Sequence, residues 1–329
     1  MGGNLYPNSV RIYQEDYVEV FDSLKPLLKD IAVNYHFLLA YKNKPSMGDI
    51  DILIRSRENV NIKEILKSHY DLQTSKNGNT VSFPYYYSGK DEPYQVDLMI
   101  YNENYGTALN FYRHGDLGNI IGRIANRLNC KFGFEGLFYK YRNGQYKRDI
   151  LLSKDIVEIL GFLGWKQIDI DDFIKGFDTE LDIFSFVLQN GFFHKSYFTY
   201  ENLNHENRTR NKKRKMYGDF LEYVESLDDD YVNSKDALLG DVEFYYPYVH
   251  SNFPRVNHEI NKIETELELK WIASSKFNGN VVKEITGFDG KELGKFIQKF
   301  KTVYDEHYIL NADKDEIKRN IKGFYANYN

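Results

Sequence analysis

Apolar residues recur at mostly helical spacing over residues 12 to 32 (IYQEDYVEVFDSLKPLLKDIA), with Pro26 expected to interrupt the run. NYHFLLAY then reads as a buried strand, and the loop KNKPSMG comes after it. DIDILI alternates strictly and is β-branched, the period-two pattern of a strand. NIKEILKSHY predicts a short helix. TVSFPYYYSG and YQVDLMIY predict two strands joined as a hairpin through the polar GKDEP segment. Helix, strand, loop, strand, helix and hairpin together predict an α+β fold with a mixed sheet. From Tyr105 to Asn129 the period is helical again, KFGFEGLFYKYRNGQYKRDILL predicts a hairpin turning at Asn143-Gly144, and SKDIVEILGFLGW predicts a capped helix. Residues 171 to about 226 look helical around a basic block. Residues 227 to 256 are acidic, then aromatic and loop-rich, and helical patterns return from 257 to 325.

Chemistry enters at Gly48-Asp49-Ile50-Asp51-Ile52-Leu53-Ile54. Residues two apart on a strand share a face, so Asp49 and Asp51 project together while Ile50, Ile52 and Ile54 face the other way. Two adjacent carboxylates repel unless a cation joins them, and Mg²⁺ prefers carboxylate oxygens, phosphates and water. Asp97, isolated in the apolar strand of Val96-Asp97-Leu98, completes the cluster if its strand lies beside the first. Three such acids suit two metal ions, one at an attacking hydroxyl and one at a triphosphate. A solvent-facing acid on a strand is the plainer explanation, and a lone Asp-x-Asp would not displace it. The glycine before the pair and the later strand acid tilt the balance toward a metal site.

These motifs resemble the catalytic core of family X DNA polymerases, the DNA polymerase beta type. GDIDILI is similar to their Gly-Asp-x-Asp motif and QVDLMI to their third-aspartate strand. Phe111-Tyr112 stands where the family has an aromatic pair beside the incoming sugar, and Asp116, Asn119 and Arg123 match a D-x-x-N-x-x-x-R helix. FEGLFYK followed by SKDIVEILGFLGW is similar to the closing strand and helix, so the likeness spans residues 30 to 166. The resemblance implies a polymerase beta-like palm over residues 1–101 and a thumb-like part over 102–170; the helical patterns and basic run beyond it lead us to expect a separate, mostly helical nucleic-acid-binding region over 171–329. The resemblance also implies Mg²⁺ (two ions, with Mn²⁺ as the alternative) on Asp49, Asp51 and Asp97, the catalytic residues. It places a nucleoside triphosphate against Gly48, Ser46, Lys42, Phe111, Tyr112, Asp116, Asn119 and Arg123. Asp116 would lie near the incoming base, Asn119 at its minor-groove edge and Arg123 toward the templating side. The pattern departs from the family at three points. Leu38-Leu39 replaces a Gly-Ser pair that cradles the triphosphate, with Ser46, Lys42 or Lys44 left to compensate. His114 replaces a glycine, and Gln95 replaces a primer-contacting arginine.

Beyond residue 170 the resemblance stops. Asn207 to Lys215 (NRTRNKKRK) contains six cations and no acid. Arg208, Arg210, Lys212, Lys213, Arg214 and Lys215, flanked by Tyr197, Phe198, Tyr200 and Tyr217, suit phosphates and stacked bases. A solvated helix start accounts for the same run. ITGFDGKELGKFIQKFK weakly resembles a tail motif of CCA-adding enzymes, and an amphipathic capped helix explains it equally well.

Composition narrows the setting. A net charge of −5 leaves nucleic-acid binding to local cationic patches. One cysteine, Cys130, excludes a disulfide framework and a cysteine-rich zinc site. No cationic, apolar leader or membrane-length apolar run is visible, so the expectation is a cytoplasmic monomer, of bacterial or viral origin by its Lys, Asn, Ile, Tyr and Phe bias. The leading expectation is transfer of nucleotides from an NTP or dNTP to a DNA or RNA 3′-hydroxyl by a polymerase X-like enzyme. The alternatives are a tRNA or RNA terminal (CCA-type) transferase and a nucleic-acid-binding protein whose transferase core is retired.

Overall fold

The computed structural model describes residues 5–88, 91–198, 208, 214–228 and 241–328. Helix α1 (Tyr17–Ile31) turns Tyr17, Val20, Leu24, Leu27, Leu28 and Ile31 inward, the three-and-four spacing of one apolar face. Pro26 lies inside this helix and does not break it. Its ring is on the exposed side, where water can take the carbonyl it leaves unbonded, and burial of residues on both flanks holds the helix together.

That apolar face packs on a five-stranded mixed sheet of β2 (Ala32–Phe37), β4 (Ile50–Ser56), β7 (Tyr94–Ile100), β6 (Thr80–Tyr85) and β5 (Ser75–Asn77), in that order. β4 and β7 run parallel; every other pair is antiparallel, including the β6–β7 hairpin that the sequence predicts. β4 and β7 are therefore central, and Ile50, Ile52, Ile54, Val96 and Leu98 are buried against the helix side. β2 is not the buried strand expected from its composition. It forms the sheet edge, and Val33, Asn34 and His36 are exposed. A two-stranded piece, β1 (Ile12–Tyr13) with β3 (Ser46–Met47), ties the chain's start to the loop before β4.

The expected helical stretch after Tyr105 is two helices, α3 (Tyr105–Tyr112) and α4 (Leu117–Arg127). Gly115 at φ +61° makes the corner between them. Gly118 is required by contact: a Cβ there would lie 2.3 Å from the Phe111 carbonyl oxygen. A meander of β8 (Cys130–Gly133), β9 (Gly136–Asn143) and β10 (Tyr146–Ser153) comes next, turning at Gly144 (φ +57°). Helix α5 (Ile156–Phe162) starts on Asp155, whose carboxylate accepts the Glu158 N–H. Helices α6 (Gln167–Lys175), α7 (Glu180–Leu188), α8 (Lys215–Glu225) and α9 (Val242–Asn252) complete the first of two compact units, residues 1–253. The aromatic stretch expected to be loop-rich is thus helical over Val242–Asn252, where Asp241 caps it. The boundary expected near residue 170 falls inside this unit. The second unit, residues 254–329, is helical, with Phe277, Phe296, Phe300, Ile317 and Ile321 at its core. Among the described residues, no helix is long and apolar enough to cross a membrane.

His114 joins the sheet side of the first unit to α6. The ring is buried, with Nε2 2.8 Å from the Phe173 carbonyl oxygen and Nδ1 3.4 Å from that of Ala40. Burial pushes its pKa down to about 4, against the opposing hydrogen bond to Phe173, with the Arg113 charge adding to the depression. A histidine neutral when folded and protonated when unfolded stabilises the fold fully above the unfolded value, near 6.5. That share is lost as pH falls toward 4. The linkage amounts to about 3 kcal/mol over this window. Denaturant titrations at pH 7, 5.5 and 4.5 are expected to show this loss, and His114→Asn to flatten it. Equal acid sensitivity in both proteins would mean that His114 is not its source.

Candidate active site

Parallel pairing brings the three acids together. Asp51 on β4 stands opposite Asp97 on β7, and residues directly paired in a sheet share a face. Asp49 lies two residues before Asp51, so it joins that face from the strand's entrance. One carboxylate oxygen from each of the three lies within 4.8 Å of the others, and all three residues are half-buried.

The charge is poorly compensated. Burial raises the Asp51 pKa to about 7, and repulsion from Asp49 and Asp97 adds to it, while Lys44 opposes. Asp49 is raised by burial and then by Asp97. Lys44, in the loop before β4, is lowered by burial and partly restored by Asp51 and Asp49. Its ammonium is a nearby opposing charge for both acids, and it cannot neutralise three carboxylates. A donor set of oxygen anions only, with repulsion unrelieved, fits a hard divalent cation that keeps part of its water shell.

The residues expected to hold a nucleotide are distributed unevenly. Gly48 adjoins Asp49. The Ser46 hydroxyl accepts from the Arg11 guanidinium at 3.1 Å (Nε) and 3.0 Å (Nη2), and its carbonyl accepts at 3.3 Å. Lys42 instead reaches Asp178, Nζ to Oδ1 2.6 Å, on the surface. Arg11 and Lys44 are the cations at this loop. No sequence motif points to Arg11, which precedes the acids by a whole helix; only the β1–β3 pairing brings it alongside.

Phe111 and Tyr112 end α3. Phe111 meets Phe132 edge-on, and the Tyr112 hydroxyl lies 3.0 Å from that of Tyr101. Asn119 and Arg123 lie on α4, and Asp116 immediately precedes its first residue. Asp116 pairs with Arg214 through Oδ1, and its N–H points at the Met216 sulfur at 3.4 Å. Arg123 donates from Nη2 to the Tyr197 carbonyl at 2.7 Å, and Asn119 is half-buried between them in sequence. Of the basic block, Arg214 thus faces Asp116 and Lys215 faces Asp219. Arg208 is half-buried in a helical conformation, and Arg210, Lys212 and Lys213 lie outside the described residues.

No family model and no curated protein matches this chain. Among solved structures it is similar to polymerase beta of Leishmania infantum in a ternary primer–template complex. That likeness has a TM-score of 0.33 and 15% identity, covering 42% of this chain and 63% of that one. A likeness at that level carries no functional weight, which falls instead on the geometry of the three acids and their neighbours.

Below about pH 7, a cation bound here would have to displace the proton that the raised Asp51 pKa retains. Affinity for Mn²⁺ is therefore expected to rise as pH rises through about 7, by close to tenfold per unit on the acid side. A raised carboxylate pKa also destabilises the metal-free fold as pH climbs from the carboxylate range toward 7. Asp51→Asn should abolish Mn²⁺ binding yet raise the melting temperature at pH 8 without metal. Calorimetric titration and thermal melts check both; an unchanged or lowered melting temperature would contradict the repulsion argument.

Proposed function

We propose that this chain is a metal-dependent nucleotidyltransferase that extends a nucleic-acid 3′-hydroxyl from a nucleoside triphosphate, releasing pyrophosphate. The observation that supports it is the meeting of Asp49, Asp51 and Asp97 within 4.8 Å on two parallel strands, beside an otherwise cationic loop. Mg²⁺ or Mn²⁺ held by these three residues would supply Lewis-acid charge to phosphate oxygens and lower the pKa of the attacking hydroxyl.

The chain's own groups account for the remaining work. In the transfer, the 3′-oxygen forms a bond to the α-phosphorus and the bond to the bridging oxygen of pyrophosphate breaks. Asp97 takes the proton of the attacking hydroxyl on a carboxylate oxygen. Lys44, half-buried beside Asp49 and Asp51, places positive charge where the departing phosphates gain negative charge. Arg11 and Ser46 offer a guanidinium and a hydroxyl along the same loop.

One observation favours a template-free acceptor over a templated one. Asp116 and Arg123, which the polymerase resemblance assigns to the base pair, are engaged by Arg214 and by the Tyr197 carbonyl. A template strand at that face would have to displace both contacts. On this reading the acceptor is an RNA or DNA 3′ end extended without instruction, as in terminal transferases.

The test is incorporation of each labelled nucleotide onto DNA and RNA ends, with and without template. Wild type is expected to extend an end without template in Mg²⁺ or Mn²⁺. Asp51→Asn is expected to lose at least about a thousandfold, the scale of removing a group that acts only in the transition state. Equal incorporation by wild type and Asp51→Asn would sink the enzymatic reading. Activity confined to paired templates would sink the template-free one.

A further inference from the structure

Gln95 lies two residues before Asp97 on β7, on the same face of the sheet, and it is buried at 5% exposure. Its side-chain amide nitrogen lies 3.1 Å from Oδ1 and 3.2 Å from Oδ2 of Asp97, bridging both oxygens. The amide oxygen accepts the backbone N–H of Leu5 at 2.9 Å. That segment is pinned twice more beside the hairpin: the Tyr6 hydroxyl donates to the Ser82 carbonyl at 2.7 Å, and the Val10 N–H to the Pro93 carbonyl at 3.0 Å. Ser82 is itself the cross-strand partner of Asp97.

We propose that Gln95 is a positioning residue for Asp97 and that the Leu5 backbone N–H fixes which way its amide points. The inference rests on the reading of the three acids as a metal and transfer centre. The chemistry allows one arrangement. A backbone N–H only donates, so the amide oxygen must face Leu5 and the NH₂ must face the carboxylate, whatever side-chain flip is drawn. A carboxylate otherwise turns freely about its Cβ–Cγ bond. A buried donor shared between its two oxygens holds that rotation and leaves the remaining lone pairs for a cation. A neutral donor also differs in kind from a cationic one. Lys or Arg at this position would offset the negative charge that draws the metal, whereas an amide orients Asp97 and leaves the charge of the trio intact. Ion ligands are commonly oriented by such outer partners, and their loss costs roughly 10- to 100-fold in metal affinity or activity.

Two variants of the full chain separate this role from a packing role. Gln95→Met keeps the side chain's length and burial and removes the donor. Leu5→Pro removes one N–H and leaves Gln95 in place. Mn²⁺ affinity and the bound-Mn²⁺ paramagnetic resonance spectrum are measured beside kcat and KM for nucleotide incorporation. Gln95→Met is expected to weaken Mn²⁺ by roughly 10- to 100-fold, alter the spectrum and lower kcat, with nucleotide KM unchanged. Leu5→Pro is expected to move the same quantities in the same direction by several-fold. Wild-type Mn²⁺ affinity and kcat in Gln95→Met would overturn the proposal. Should Gln95→Met fail to fold, Leu5→Pro decides: an effect on Mn²⁺ and kcat with KM unchanged supports the linkage, and no effect overturns it. An impaired Gln95→Met beside an unchanged Leu5→Pro keeps Gln95 as the positioning residue and overturns the assignment of Leu5. If wild type itself binds no Mn²⁺, the metal-centre reading fails first and takes this inference with it; the variants separate the two only where wild type binds.

Discussion

The site depends on the parallel pairing of Ile50–Ser56 with Tyr94–Ile100. It sets Asp51 opposite Asp97 and thereby forces carboxylates together that would separate in water. The cost is met by the other face of the same strands. Ile50, Ile52, Ile54, Val96 and Leu98 are buried against helix α1, and apolar burial at roughly 25 cal/mol per Å² holds a register that the acids alone would reject. A slip by one residue would bury the acids and expose the isoleucines. The hydrophobic core and the anionic cluster are therefore two faces of a single register.

Around this cluster the chain supplies compensation of different kinds. Lys44 opposes the charge from the loop before the strand. Gln95 constrains Asp97 without neutralising it. Arg11 reaches the same loop through Ser46. None of these removes the repulsion, which adds to burial in raising the Asp51 pKa. That incomplete compensation is what a divalent cation bound to the three acids would relieve.

The helices beyond the sheet close other faces of the first unit. Arg214 and Met216 sit on the start of α4, and the Tyr197 carbonyl engages Arg123. The backbone of residues 42 and 43 bonds to the carbonyls of Phe177 and Asp178, tying the cationic loop to the turn between α6 and α7. The loop before β4 and the helical part are consequently packed together, and residues as far apart as Asp116 and Arg214 meet at one surface.

Periodicity encodes some of this and cannot encode the rest. A period of two determines that Asp49 and Asp51 share a face, and an isolated acid in a second apolar strand identifies Asp97 as their candidate partner. The turn glycine likewise marks the Asn143-Gly144 hairpin, whereas the helix start expected at Ser153 is capped two residues later by Asp155, because Ser153 ends the preceding strand. Periodicity names a face, and it does not name the neighbour across it. That β4 and β7 are adjacent, that β2 lies at an edge, that Pro26 sits on a solvent side and that Lys42 turns to Asp178 are matters of packing. Gln95 reads in sequence as a substitution for an arginine. Its role emerges only when the sheet buries it beside Asp97 and the Leu5 N–H meets it from 90 residues away. The three acids could be picked out from the residues alone, because ligand types are local. The geometry of the site came from the folded chain, because contacts between distant segments are set by which faces find burial.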